Sequence, residues 1–207
     1  LFFDCVEKDG TRTAVQLNVC GLHNVYNALS AFAVGVHMGI DRESIVKSLK
    51  KFKSSGVRQN LVWYSGQHLY LDCYSITEDS VKSSMIAMGS IEVPEGGRKI
   101  AVIADIPDLG DQSEEIHRRI GQIVADAATT DDVFFYGEVM GYAYEEATRR
   151  GITCHHTADR LELESWLKNT SKDDLIMFKA SHKMKLQQVI DDLFGTDYFI
   201  TDEINAN

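Results

Sequence analysis

Cysteine is scarce and scattered: Cys5, Cys20, Cys73 and Cys154 form no C-x-x-C pair. Such spacing encodes neither a zinc ribbon nor a redox dithiol, and it fits a reducing cytoplasm. Positive charge is in deficit, with 21 Lys and Arg against 31 Asp and Glu and a net charge of −10. A surface for nucleic acid or anionic membrane needs clustered Lys and Arg, so neither is the expected main partner. No apolar run approaches the roughly 20 residues of a membrane-spanning helix. The N-terminus lacks the basic-then-apolar order of a signal peptide. No G-x-x-x-x-G-K-[ST] loop is present to cradle phosphates. No G-x-G-x-x-G opens a strand–helix unit either, which disfavours a plain dinucleotide-binding oxidoreductase. Internal repeats and low-complexity tracts are missing as well.

What is present is globular. An apolar share of 44% and a charged share of 25% can build a core, and 207 residues suggest one full domain plus part of another. Leu1-Phe2-Phe3-Asp4-Cys5-Val6 reads as the middle of a strand with no Met ahead of it, so the chain is expected to be a piece of a longer polypeptide. Phe3, Cys5 and the alternating run Thr13–Val19 flank Asp9-Gly10, the signature of a hairpin. Val25, Ala28, Leu29, Phe32 and Val36 follow at helical spacing, making a helix with one buried stripe that ends at Gly39. Asp41 then caps a second helix, Arg42 to about Phe52, with Ile45, Val46, Leu49 and Phe52 inward and lysines outward. The pattern breaks at Ser54-Ser55-Gly56-Val57-Arg58, which divides the chain into residues 1–55 and 56–207.

Beyond that boundary, strands and helices alternate. Short strands at Leu61–Trp63 and Leu69–Cys73 flank Ser65-Gly66, and Asp79 or Ser80 caps a helix carrying Val81, Met85 and Met88. The apolar run Ile100–Ala104 reads as a strand buried on both faces. Then come helix Ser113–Ala127, strand Val133–Tyr136, helix Val139–Arg150, strand Ile152–Cys154, helix Asp159–Leu167, strand Leu175–Phe178 and helix Lys183–Leu193. Repeated strand–helix units imply a mainly parallel, doubly wound α/β sheet. Ligands gather at the carboxyl ends of such strands, where Asp72, Asp105, Gly137 and Lys179 fall. A second polar cluster, His23, Asn24 and Asn27, opens the first long helix, where unpaired N–H groups and the helix dipole favour polar or anionic partners. The bland readings are equally concrete: Asn24 as an N-cap, Lys179 snorkelling to water, Asp105 capping the next turn, and His117 packing on its helix. His155 and His156 have no third ligand nearby, so a metal site there is not expected.

Five separated stretches together carry a family resemblance. Gly21-Leu22-His23-Asn24-Val25-Tyr26-Asn27-Ala28 is similar to G-x-H-N-x-x-N-A, and Gly56-Val57-Arg58 to a domain-closing G-R. Leu71-Asp72-Cys73-Tyr74-Ser75-Ile76-Thr77-Glu78-Asp79-Ser80 is similar to D-D-S-Y-N-A-N-P-x-S. Ala104-Asp105-Ile106-Pro107-Asp108-Leu109-Gly110, with Ser113, His117 and Gly121, resembles G-D-M-x-E-L-G-x-x-S-x-x-x-H-x-x-x-G, and Lys179-Ala180-Ser181-His182-Lys183-Met184 resembles K-G-S-R-x-M. Found in this order over nearly the whole chain, they resemble the C-terminal part of a Mur ligase. The fold this implies is a Rossmann-like, mainly parallel C-terminal sheet with helices on both faces. It follows a hairpin and two helices that end the ATP-binding central domain.

The resemblance further implies an ATP-dependent, amide-forming ligase of peptidoglycan precursor synthesis, cytoplasmic, joining an amino acid or dipeptide to a UDP-muramoyl-peptide through an acyl phosphate. ATP and Mg²⁺ are the implied cofactors, with the phosphate loop, most metal ligands and the rest of the central and N-terminal domains upstream of Leu1. The piece alone is then expected to be inactive and to contain no catalytic residue. By motif match, Asn24 meets the adenine edge with His23 and Asn27 beside it, Arg58 a phosphate, and Asp72 the ribose hydroxyls. The amine substrate falls to Tyr74, Ser75, Thr77, Asp105, Lys179 and Ser181. The sequence departs from the motifs at Leu71, Ser75, Thr77, Glu78, Ala180 and His182. Those departures leave open a paralogous ligase for another amine, or a non-catalytic binding or regulatory domain on the same scaffold.

Overall fold

The computed structural model describes residues 1–19, 21–54, 56–64 and 67–195. Cys20, Ser55 and the expected turn at Ser65-Gly66 lie outside the described residues. Contacts between Cα atoms divide the chain into two units, Leu1–Ser54 and Ser55–Asn207.

In the first unit, β1 (Phe2–Val6) pairs antiparallel with β2 (Arg12–Gln16), Cys5 opposite Thr13 and Phe3 opposite Val15. Asp9-Gly10 makes the turn, Gly10 N–H donating to the Glu7 carbonyl at 3.0 Å. Alternation puts Cys5 and Val15 on one face, where they meet α1 (Leu22–His37) through Ala28 and Phe32 and α2 (Arg42–Lys51) through Ile45. Leu17 and Val19 complete that small core, although the strand itself stops at Gln16. Asp41 caps α2 by accepting from Ser44 N–H at 2.9 Å.

The second unit holds a six-stranded sheet. Its strands are β3 (Asn60–Tyr64), β4 (Gln67–Asp72), β5 (Lys99–Ala104), β6 (Asp132–Tyr136), β7 (Cys154–Thr157) and β8 (Leu175–Lys179), in spatial order β3-β4-β8-β5-β6-β7. Only β3 runs antiparallel, against β4; the other pairs are parallel. Strand β5 shows why its apolar run is uninterrupted. Ala101 and Ile103 face one cluster with α3 (Glu78–Gly89), α4 (Ser113–Ala127) and α5 (Gly141–Arg149), through Met85, Ile120 and Ala143. Ile100, Val102 and Ala104 face the other, with α6 (Arg160–Leu167) and α7 (Leu186–Phe194), through Leu163 and Val189. The doubly wound reading is thus realised, with three helices on one face and two on the other.

Several boundaries differ from the sequence reading. Thr77, not Asp79 or Ser80, caps α3: its hydroxyl accepts from Ser80 N–H while the Ser80 hydroxyl accepts from Thr77 N–H, a reciprocal capping box. Helix α5 starts at Gly141, and the Val139 and Met140 amides just ahead of it donate to Asp105. The seventh strand is Cys154–Thr157 rather than Ile152–Cys154, since Val133 pairs with Cys154 and Tyr136 with Thr157. The last helix divides, a 3₁₀ turn at His182–Met184 being separated from α7 by Lys185 in the left-handed region at φ 52°.

Candidate functional site

The carboxyl edge of the second unit's sheet carries the chemistry. Asp72 ends β4, Lys179 ends β8, and the two are register partners on adjacent parallel strands. On both strands the alternation turns these residues towards the α3 side, Asp72 following Tyr70 and Lys179 following Met177. There Lys179 Nζ lies 3.0 Å from Asp72 Oδ2 and donates to the Ser75 carbonyl at 2.5 Å. The Ser84 hydroxyl on α3 donates to the same Oδ2 at 2.8 Å. Lys179 is 1% exposed and Asp72 6%. The pair is therefore enclosed, each charge answered by the other and by neighbouring hydrogen bonds. Lys179 is thus not a snorkelling lysine, nor does it present its ammonium at the surface.

Above this pair the β4 and β8 ends continue as a zipped loop pair. Ala180 N–H donates to the Asp72 carbonyl at 3.1 Å and His182 N–H to the Tyr74 carbonyl at 3.1 Å. Beside them Cys73 N–H donates to the Val57 carbonyl at 2.7 Å. Burial, and then the Asp72 carboxylate, push the Cys73 thiol up, so it stays protonated. A cleft of about 530 Å³ opens on these loops, lined by Tyr74, Ser75, Ile76, Pro107, Ser181 and His182. Tyr74 is 50% exposed, with the Arg58 guanidinium carbon 3.3 Å from its ring centroid. This is a close cation–π contact that unites a residue expected at the nucleotide with one expected at the amine. A smaller cavity of about 250 Å³ lies on the other side of His182, lined also by Cys73, Lys185 and Leu186.

The fourth motif explains the Pro107 wall. His117, fully buried, accepts from Ile106 N–H through Nε2 at 3.1 Å. Nε2 being the acceptor, Nδ1 carries the proton and donates to the Ser113 carbonyl at 2.7 Å. His117 thereby anchors the loop after β5. One turn on, Gly121 lets α4 approach α5: a Cβ there would lie 2.4 Å from the Ala143 carbonyl oxygen. Asp105 is engaged too, but with the entry to α5. Its carboxylate accepts from Met140 N–H at 2.7 Å and from Val139 N–H at 3.3 Å. Gly137, at φ 121°, makes room for it, since a Cβ would fall 2.3 Å from the carboxyl carbon.

The sequence-expected residues thus part company. Tyr74, Ser75 and Ser181 line the cleft together, whereas Thr77 caps α3 and Asp72, Lys179 and Asp105 are bonded within the protein. Sequence reasoning passed over Ile76 and Pro107 as lining residues and noted His182 only as a motif departure. Their signal was position, since each lies just beyond a strand end. In the first unit, helix α1 is capped by Gly21 rather than Asn24, and Asn24 Oδ1 accepts from Asn27 Nδ2 at 3.3 Å. The His23 ring folds back on Gly21. Among the described residues no three His, Cys, Asp or Glu side chains converge as a metal site, and no helix is long and apolar enough to cross a membrane.

In doubly wound α/β sheets ligands gather at the carboxyl ends of the strands, which is where this cleft opens. Residues 57–182 match the Mur ligase, glutamate ligase domain, and the chain belongs to the Mur ligase family. It is 33% identical over 188 residues to the UDP-N-acetylmuramoyl-tripeptide–D-alanyl-D-alanine ligase of Bacillus subtilis, covering 89% of this chain and 40% of that protein. The Escherichia coli ligase of the same name is 28% identical over 180 residues, covering 85% and 38%. A crystal structure of MurF from Acinetobacter baumannii superposes with a TM-score of 0.80 at 24% identity, covering 93% of this chain and 41% of that one. MurF ligase from Thermotoga maritima, solved in complex with ADP, gives 0.74 at 18%, covering 93% and 42%. The chain spans about two fifths of the length of the relatives it matches.

Proposed function

We propose that this chain is the amine-binding part of an ATP-dependent, amide-forming ligase that adds an amino acid or dipeptide to a UDP-muramoyl-peptide in peptidoglycan precursor synthesis, in the cytoplasm. The single observation that carries the reading is the cleft at the carboxyl ends of β4, β8 and β5, where Tyr74, Ser75 and Ser181 converge with His182. Its volume exceeds what a dipeptide fills, and its walls mix apolar Ile76 and Pro107 with hydroxyl and imidazole groups that hydrogen-bond an amine or a carboxylate. The names of the relatives point the same way, to ligases that handle D-alanyl-D-alanine.

ATP supplies the phosphoryl group that activates the substrate carboxylate, so that the incoming amine forms the amide as phosphate leaves. Toward that nucleotide the proposal assigns His23, Asn24 and Asn27 of the first unit to the adenine and Arg58 of the second to a phosphate, each taken by itself. Guanidinium suits phosphate through two parallel hydrogen bonds. Asp72 toward the ribose is the weakest of these assignments, because its Oδ2 already takes Ser84 and Lys179. The described residues supply no metal cage and the sequence no phosphate-cradling loop, so Mg²⁺ is assigned to residues outside them. Residues 1–55 are read as the end of the central domain and 56–207 as the C-terminal one.

Two measurements test this. Saturation-transfer NMR of the chain against D-alanyl-D-alanine, L-alanine, D-glutamate and diaminopimelate should show one small amine bound. Tyr74→Ala and Ser181→Ala should each weaken that binding by on the order of fivefold or more, the worth of a single hydrogen bond or ring contact. Binding of none, or binding indifferent to both substitutions, contradicts the proposal. Purified chain should release no phosphate from ATP, and turnover would contradict the assignment of the phosphate loop elsewhere.

A further inference from the structure

Resting on the amine-site reading of the cleft, we infer that Lys179, held by Asp72, is a positioning residue: it does not touch the amine substrate but sets the two walls of the cleft in register. Three observations converge. First, Lys179 is 1% exposed, less than any residue lining the cleft, while Tyr74 and Ser75 above it are exposed. Second, its Nζ forms an ion pair with Asp72 Oδ2 on β4 at 3.0 Å and donates to the Ser75 carbonyl in the loop that follows. One ammonium from β8 therefore fastens both the end of the neighbouring strand and the backbone of a cleft residue. Third, the same two chain segments are zipped by Ala180 to Asp72 and His182 to Tyr74, so Ser181 and His182 are fixed against Tyr74 and Ser75.

The energetics favour a strut over a clamp. An ammonium withdrawn from water needs its carboxylate partner at all times, and offering it to a substrate carboxylate would strand Asp72 without a countercharge. Ser84 on α3 steadies the arrangement from below by donating to the same Oδ2. The Ser75 carbonyl, drawn down onto Lys179, fixes the backbone of the Tyr74–Ser75 turn and so the direction in which those two side chains leave it. The cleft is thus preformed before any ligand arrives, which lowers the ordering cost of binding.

Lysine-selective acetylation with an N-hydroxysuccinimide ester, followed by peptide mass spectrometry, separates the two roles in the unaltered chain. Lys179 should react on the order of 100-fold more slowly than exposed Lys183 and Lys185, because it reacts only through local opening. Reaction at the rate of its neighbours, or protection of Lys179 by added D-alanyl-D-alanine, would overturn the proposal. The second arm is amide exchange in Lys179→Met. The His182 and Ala180 amides should gain at least about tenfold in exchange rate over Gly137, which donates to the Thr157 carbonyl at the far edge of the sheet and reports any loss of overall stability. Equal acceleration at all three would reveal a merely structural residue and overturn the positioning role. Should Lys179→Met fail to fold, Asp72→Asn/Lys179→Met leaves no stranded charge and should show the same local acceleration. Failure of the amine reading appears elsewhere, as absent binding in the saturation-transfer measurement, with Lys179 still unreactive and the exchange still local.

Discussion

The two ends of β8 use one device to opposite effect. At its start the buried Asp174 meets Arg98, whose side chain is 46% exposed, with Nη2 to Oδ2 at 2.8 Å. The same carboxylate accepts from the backbone amides of Arg98 and Ser171, each at 2.9 Å, and the Gln67 amide joins the Ser171 and Asp174 carbonyls. At its end both charges of the Lys179–Asp72 pair are buried, and the backbone bonded to them carries the residues that line the cleft. The amino end uses its carboxylate to close a turn on itself. The carboxyl end uses its pair to hold loops whose side chains stay open. Strand ends of a doubly wound sheet locate the rim, and partner inventories then decide which rim residues remain for a ligand.

The largest effect that sharpens this contrast is Lys179→Met. It leaves Asp72 buried without a countercharge and should cost about 3–5 kcal/mol in urea unfolding, with much of the loss recovered when Asp72→Asn is added. A loss below about 1 kcal/mol would erase the distinction between the two ends. Arg98→Met should cost less, about 2 kcal/mol, because Asp174 keeps its backbone donors and Arg98 is half in water already. The third effect is read with acid. Burial pushes the Asp174 carboxyl up, but hydrogen bonding from Arg98 and the two amides outweighs it and holds the group below the usual aspartate range. A depressed carboxyl contributes stability that is full above the unfolded value near 3.9 and disappears as pH falls through the folded one. Asp174→Asn should therefore flatten the stability profile below about pH 4 and leave its shape at neutral pH unchanged, as followed by circular dichroism. Smallest is Arg58→Ala, which removes the guanidinium from the Tyr74 ring and should lower stability by at most about 1 kcal/mol. A larger loss in thermal unfolding would mean that Arg58 belongs to the frame of the cleft rather than to its surface.

How much of this was legible depended on the range of the interaction. Ile100–Ala104 announced a strand buried on both faces, and Asp9-Gly10 a turn, because a few adjacent residues decide each. The cap of Asp41 on α2 is equally local. By contrast, Asp72 and Lys179 both read as rim residues facing a ligand. Only the register of β4 against β8 shows that they face each other, and register is a long-range property. The misplaced seventh strand has a similar cause: His155 and His156 carry no strand signal, and their place follows from pairing with Phe134 and Phe135. Tyr74, Ser75 and Ser181 were named through the motif resemblance alone, and they line the cleft two or three residues beyond a strand end. Asp105 was placed at the rim correctly, yet its partners Val139 and Met140 come from the next strand–helix connection.

The most direct test of the central claim is a ¹H–¹⁵N correlation spectrum of the chain titrated with D-alanyl-D-alanine. The expected result is a saturable shift of the Tyr74, Ser75, Ile76, Ser181 and His182 amides, with the Arg98, Ser171 and Asp174 amides at the opposite end of β8 unmoved. Shifts centred on that opposite end, or none at the five cleft amides, would contradict it.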